Sequence, residues 1–438
     1  MNRRTGRNSN RRRQPIKNML PIVIIALVVL SGAVVCVAIA NGVSVPTVGT
    51  VDSTVLSQSP SGLPSEPPAS SSEPEPSSTA PVSSEPVYDR SNYVTYKGAI
   101  EHIFVHPLVV YPELAFDGDA AAKGMDDYMT TVTEFKRMLE ELYKNNYILV
   151  NIDQMYGEIQ NDDGTTSYGR LPFKLPKGKK PLIISTDDMN YYQYMREEGC
   201  NWKMVVGDDG HIAEMSVDPK TGKEVITQGN EVFSIINQFV KEHPDFSFEG
   251  AKAIVGLTGY DGVLGYRTQA DSPDRQKEIE AVKPVIECLK KDGFQFASHS
   301  YGHRHMSKMS ADSIRDDCQA WKDEVQSLIG DTSVYLFPYG EYPDHGTPQY
   351  NVLVEYGFRY FSGVGINTYQ KVYDAGYVFD DRKNIDGLTL RTCLKEGPDA
   401  VKANGQPTAR TQVWKMMDVN YVFDKARGDE PGKGIGVK

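Results

Sequence analysis

Cysteine is scarce in this 438-residue chain: there are five, with no CxxC pair and no zinc-knuckle spacing, so a zinc ribbon or thioredoxin-type redox centre is excluded. Cys36 lies in an apolar run after Val-Val, a poor match to a lipoprotein box, and reads as an ordinary apolar residue; Cys200, Cys288, Cys318 and Cys393 read as buried free thiols. Acidic residues are absent from the first forty positions, where Arg3, Arg4, Arg7, Arg11, Arg12, Arg13 and Lys17 stand. The rest of the chain is therefore more acidic than the net charge of −11, and no nucleic-acid partner is expected, because phosphate binding needs clustered Lys and Arg. Long apolar runs are missing except for one, which excludes a multi-span membrane protein. No internal repeat of fixed period is present.

The single apolar run is Met19 to Ala40, 22 residues without a charge. At about 1.5 Å per residue it spans a hydrocarbon core of roughly 30 Å. Residues 1–18 form a basic tail that should stay in the cytoplasm, with 19–40 as a transmembrane anchor and everything after it exported. The rival is a signal peptide cleaved near Ala40, since Ala38-Ile39-Ala40 has the small-x-small form, and the protein would then be secreted; the run is longer than a usual signal core of about 7–15 residues, which favours the anchor. Residues 41–90 are rich in Ser, Pro and Glu. Such a segment cannot bury enough apolar surface to offset its backbone entropy and reads as a disordered linker.

Residues 91–438 alternate helical and strand patterns. Phe135, Met138, Leu139 and Leu142 have helical spacing, and YILVNI follows as a strand. PLIIST, KAIVGLTG, FQFAS, VYLF and FRYFSG read as further strands; EVFSIINQFVKEH, Pro273 to Lys291, the segment capped by Ser310 and a short stretch near Val352 read as helices. Strand–helix alternation predicts an α/β fold with a parallel sheet or (β/α) barrel. Residues 151–180 read as a loop or small hairpin, and 202–230, with two β-like runs around Asp209-Gly210, as an inserted β-hairpin.

Three polar clusters end predicted strands: Asp187-Asp188 after PLIIST, His299 and His303 after FQFAS, and Pro338-Tyr339-Gly340 after VYLF. Open α/β and barrel folds assemble their sites at that edge. Histidines at i and i+4 on a helical turn share a side, so both imidazoles can reach one metal, and one carboxylate completes a three-ligand face with positions left open for water and substrate. A second carboxylate beside it can take a proton from bound water.

STDDMNYY, HSYGH and LFPYG resemble the successive motifs of the polysaccharide deacetylase family, the NodB-homology carbohydrate esterases of family four, over about residues 97–395. The resemblance implies a distorted (β/α) barrel of the NodB-homology type with the inserted hairpin. It implies Asp187 as the base, Asp188, His299 and His303 as ligands of a divalent metal (Zn2+, with Co2+ or Mn2+ as relatives), and the backbone N–H of Tyr339 at the oxyanion. The reaction implied is metal-dependent hydrolysis of N-acetyl groups on an amino-sugar polymer. Three departures stand out. Leu336 occupies the place of an Arg that orients the base, for which Arg382 in DDRKNIDG is the candidate replacement. No Asp-Trp motif follows GFRYF. No late Leu-x-His motif supplies the acid; His345 is the candidate there.

Among smaller candidates, Tyr191, Tyr260 and Pro338 are assigned to substrate binding, since aromatic rings near such a site can stack on sugars. His305 is expected to support the ligands or to be plainly exposed rather than to be a ligand, and His106 to be a satisfied core histidine, with a pocket wall as the alternative. The expectation is a membrane-anchored, extracytoplasmic deacetylase of N-acetylated polysaccharide such as peptidoglycan. The alternative is a catalytically impaired protein of the same fold that binds wall polysaccharide, motivated by the missing Arg and late His.

Overall fold

The computed structural model describes residues 90–405 and 408–437. The expected tail, anchor and most of the linker lie outside the described residues. Among the described residues no helix is long and apolar enough to cross a membrane.

Seven parallel strands close a barrel in chain order: β1 (Glu101–Val105), β2 (Lys180–Thr186), β3 (Ile254–Leu257), β4 (Gln295–Ser298), β5 (Val334–Leu336), β6 (Tyr360–Val364) and β7 (Tyr377–Asn384). Each pairs with the next, and β7 returns to β1 through Lys383 opposite Ile103. The β2–β3 seam is tight: a Cβ on Gly256 would run into the Thr186 carbonyl. The expected barrel is borne out. Among the described residues, the helices between and after these strands include α1 (Val132–Lys144), α2 (Val232–Glu242), α3 (Arg275–Lys291), α4 (Ala311–Trp321), α5 (Pro348–Glu355) and α6 (Gly387–Glu396).

Local chemistry explains these elements. Thr131 caps α1 in a reciprocal box with Glu134, satisfying two orphan donors. Phe135, Met138, Leu139 and Leu142 are all fully buried, each worth about 1.5–3 kcal/mol of burial. Ser310 accepts from Ser313 N–H to start α4, and α3 runs on through Pro284. Along the strands alternate residues divide between two cores. Ile103, Ile184, Val255, Phe296 and Phe361 pack under the helices. Ile183, Ile254, Ala297, Leu336, Tyr360 and Val378 fill the barrel interior. All four cysteines beyond the apolar run are buried, and Cys200, Cys288 and Cys318 are free thiols.

Two insertions interrupt the rhythm where the sequence placed them. Tyr156–Gln160 and Thr166–Arg170 form an antiparallel hairpin. The insert at 202–230 is larger than a hairpin: Lys203–Val206, Ile212–Val217 and Glu224–Thr227 make a three-stranded antiparallel sheet. β7 was not foreseen from the pattern. Its YVFDDRKN reads as surface, yet Asp380 and Arg382 are fully buried.

Candidate active site

The chain leaves β2 at Thr186 and turns at once. Asp187 N–H still donates to the Val105 carbonyl of β1 at 3.0 Å, and Asp188 takes left-handed backbone, φ 57°. Asn190 stitches this turn to the end of β3, accepting from Thr258 N–H at 3.1 Å and donating to its carbonyl at 2.9 Å. Beyond β4, Ser300 and His303 are also left-handed, φ 57° and 48°. Asp317 of α4 holds this loop by accepting from the N–H groups of Tyr301 and Gly302 at 2.8 and 2.9 Å. The histidines therefore meet through a left-handed loop, ring centroids 5.0 Å apart, and not through the helical turn suggested by their spacing. Of eight described non-glycine residues with positive φ, five (Asp188, Tyr191, Ser300, His303, Tyr339) lie in these loops, the clustering expected where function over-determines the backbone.

Asp188, His299 and His303 bring an oxygen and two nitrogens within 4.8 Å of one another. Each has an outer partner. His299 Nδ1–H donates to the Leu336 carbonyl at 2.8 Å, which leaves Nε2 as the free lone pair. His303 Nδ1 lies 3.1 Å from the Tyr339 hydroxyl. The Tyr192 hydroxyl donates to Asp188 Oδ1 at 2.9 Å, its proton retained because burial, with the Asp188 charge second, pushes the phenol's pKa well up. Burial also lowers His299 against the pull of Asp187 and Asp188, keeping the imidazole neutral. Two imidazoles and a carboxylate, each oriented by a second hydrogen bond, fit a divalent ion such as zinc.

Asp187 faces a different partner. Its Oδ1 and Oδ2 accept from Arg382 Nη1 and Nη2 at 2.6 and 3.1 Å. Arg382 comes from β7 and is fully buried, its guanidinium 4.3 Å from the Phe104 ring centroid. Burial alone would raise this carboxyl's pKa; Arg382, and His299 after it, outweigh that and hold it well below the usual range. Arg382 thus reaches Asp187 from β7, a different strand from the β5 that carries Leu336.

The other candidates separate. Tyr339 is exposed, φ 58°, its ring stacked on His305 at 4.2 Å; His305 in turn lies 3.2 Å from Glu341, a supporting contact. Tyr260 stacks on Tyr192 at 5.2 Å with 41% of its surface exposed, so it rims the site. Tyr191 does not serve as a sugar contact: it is fully buried, and its hydroxyl donates to Glu231 Oε2 at 3.1 Å, under the inserted sheet. Pro338 is likewise buried and shapes the turn that carries Tyr339. His345 does not reach the site; it sits among Tyr350, Tyr373, Tyr377 and Phe379, with Nδ1 3.1 Å from the Tyr377 hydroxyl.

A third histidine near the carboxylates is His106, directly after β1. It is near enough to both Asp187 and Asp188 to act on them electrostatically, and its Nδ1 is buried without a partner. A polar atom left so is costly in a core, so His106 is not the satisfied core histidine expected. Its place at a strand's C-terminal end was the available signal.

The polysaccharide deacetylase family model matches residues 267–361, which bears out the motif resemblance; the match holds His299, His303 and Pro338 to Gly340, while the Asp pair precedes it, beyond the inserted sheet. No curated protein matches the chain. Among solved structures, the Streptococcus pyogenes deacetylase PplD in complex with acetate is 12% identical over 66% of this chain and 93% of its own, TM-score 0.36. A de-N-acetylase from Aggregatibacter actinomycetemcomitans is 15% identical over 66% and 96%, TM-score 0.37. A CE4 family pseudoenzyme from Bacillus anthracis is 16% identical over 29% and 36%, TM-score 0.21. At such scores the fold rests on the strand order and register above.

Proposed function

We propose that this chain, a polysaccharide deacetylase family member by its motifs and by the match over residues 267–361, removes N-acetyl groups from amino-sugar units of a cell-wall or surface polysaccharide outside the cytoplasm, with a divalent metal. The observation that carries this reading is the ionised, Arg382-paired Asp187 beside the Asp188, His299 and His303 triad. A divalent ion held by the triad supplies polarisation of the acetyl oxygen and a water of lowered pKa.

The chain's own residues do the remainder. Asp187, kept ionised, accepts the proton of the attacking water. Arg382 aims that carboxylate. The backbone N–H of Tyr339 supports the oxyanion. His106 delivers a proton to the departing amine, so that amide and water become amine and acetate. Tyr260 offers a face for a sugar ring. The location outside the cytoplasm is supported by the apolar run 19–40 with its basic N-terminal flank. The missing Arg and late His, which motivated the non-catalytic alternative, lose weight once Arg382 and His106 are counted.

The test is acetate release from N-acetylglucosamine oligomers and from peptidoglycan, before and after chelation and after re-addition of zinc, cobalt or manganese. Asp187→Asn is expected to lose about 10²–10⁴-fold in turnover while still binding about one ion per chain, the number one three-ligand site holds. Full activity in that variant removes the base assignment. A wild-type chain that adheres to glycan without releasing acetate favours the binder.

A further inference from the structure

Behind the base, the barrel interior carries a run of polar side chains that the proposed reaction does not use. Arg382 Nη1 lies 3.1 Å from Ser185 Oγ, Ser185 Oγ lies 3.0 Å from His102 Nε2, and His102 Nδ1 lies 2.9 Å from Asp380 Oδ2. Tyr360 O–H donates to the same Asp380 oxygen at 2.8 Å. All five side chains are fully buried or within 1% of it. They come from β1, β2, β6 and β7, so this is a crossing of the barrel and not a local turn.

The proton inventory fixes a direction. A guanidinium only donates, so Ser185 Oγ accepts from Arg382, and the Asp380 carboxylate only accepts, so the imidazole proton of His102 sits on Nδ1. That leaves Nε2 as the acceptor of the single Ser185 proton. Each group gives to the next, from Arg382 through Ser185 and His102 to Asp380. The chain needs a neutral imidazole, and burial, which outweighs Asp380 in lowering His102, keeps it neutral.

A barrel core gains little stability from such a chain, since apolar residues of similar volume do as well or better. Asp380 Oδ1 has no partner, nor has Ser362 Oγ beside it across β6 and β7. What the chain does is hold Arg382. Asp187 Oδ2 is only 3.7 Å from His299 Nε2, a candidate ligand atom, and the guanidinium keeps the carboxylate from closing that gap.

We propose that Ser185 and His102 are positioning residues, with Asp380 setting the His102 tautomer: their one-way chain of hydrogen bonds fixes the Arg382 guanidinium and thereby holds Asp187 off the metal-binding triad, free to act as base. The deacetylase reading enters only in naming Asp187 the base. The holding itself is independent of substrate.

Cobalt-loaded full-length protein tests this by its visible spectrum. Ser185→Ala cuts the chain. His102→Asn keeps a donor near the Nδ1 position and loses the acceptor for Ser185, whereas His102→Gln keeps an acceptor near the Nε2 position. Ser185→Ala and His102→Asn should give the same altered cobalt spectrum as Asp187 joins the ion, and His102→Gln should match wild type. In acetate release the first two should lose about 10–100-fold in kcat with KM unchanged, and His102→Gln should recover it. A merely structural role would lower Tm in all three and leave the cobalt spectrum alone. Identical spectra for wild type and Ser185→Ala overturn the proposal, as does a folded wild type that binds no cobalt. Absence of acetate release from wild type on every glycan sinks the deacetylase reading instead, while the spectra still decide the positioning claim.

Discussion

Among the described residues two arginines are fully buried, and they are buried in opposite ways. Arg427 binds both oxygens of Glu134 at 2.7 Å, Asp126 Oδ1 at 2.9 Å, and the carbonyls of Asp126 and Met129 at 2.8 and 2.6 Å. Its carboxylates are in turn saturated: Glu134 also accepts from Thr131 and Asp424 N–H, and Asp126 from Arg391 at 2.8 and 3.2 Å. Arg382 instead serves Asp187, whose carboxylate accepts hydrogen bonds from no other described residue and lies 3.7 Å from His299 Nε2. The saturated cluster clamps the C-terminal segment to α1 and to the short helix Ala122–Tyr128 that precedes it, and has nothing left to offer. The half-satisfied one keeps lone pairs waiting for a ligand and a proton.

That contrast breaks first on stability. Arg427→Met strands two buried carboxylates and should cost about 3–5 kcal/mol in denaturant unfolding, with metal bound per folded chain unchanged. Arg382→Met should show the reverse balance, losing turnover for a smaller stability loss, because a single carboxyl there can take up a proton instead of staying charged. Equal stability losses for the two variants would erase the distinction drawn here.

The unpartnered nitrogen of His106 sharpens the comparison next. His106→Gln should lower turnover of an N-acetyl amide by about 10²-fold with the metal retained. Turnover of p-nitrophenyl acetate, whose leaving group needs no proton, should hardly change. A parallel loss on both substrates would put His106 in binding rather than in proton delivery.

Much of this was legible in the sequence for a physical reason: strands buried on both faces are continuous apolar runs, and catalytic loops follow their ends. PLIIST, FQFAS and VYLF gave both the barrel and the positions of Asp187, His299 and Pro338. β7 was illegible for the converse reason. Buried charge looks like exposed charge until its partners are known, and the partners of Asp380 and Arg382 are His102 and Asp187, 278 and 195 residues away in the chain. Separation in sequence also hid His106, which stands 81 residues before Asp187. Tyr191 and His345 were misplaced because nearness in sequence to a motif does not say which way a side chain leaves the backbone. Tyr191 sits three residues past Asp188 yet turns under the insert to Glu231.

The insert holds another buried carboxylate to set against the two clusters. Glu214 is fully buried; Oε1 accepts from Asn230 N–H, and Oε2 has no partner. Burial pushes its pKa from 4.5 up to about 8. The folded value lies above the unfolded one, so the folded chain keeps a proton that the unfolded chain gives up between those pH values. Stability from this group is therefore full below about pH 4.5 and declines as pH rises to about 8. Glu214→Gln removes the ionisation and should flatten that decline. At pH 9 the variant should resist urea better than wild type, by roughly 1–3 kcal/mol, the cost of an unsatisfied buried polar group. An unchanged pH slope would mean that Oε2 finds a partner after all, and Glu214 would then belong with the saturated carboxylates around Arg427.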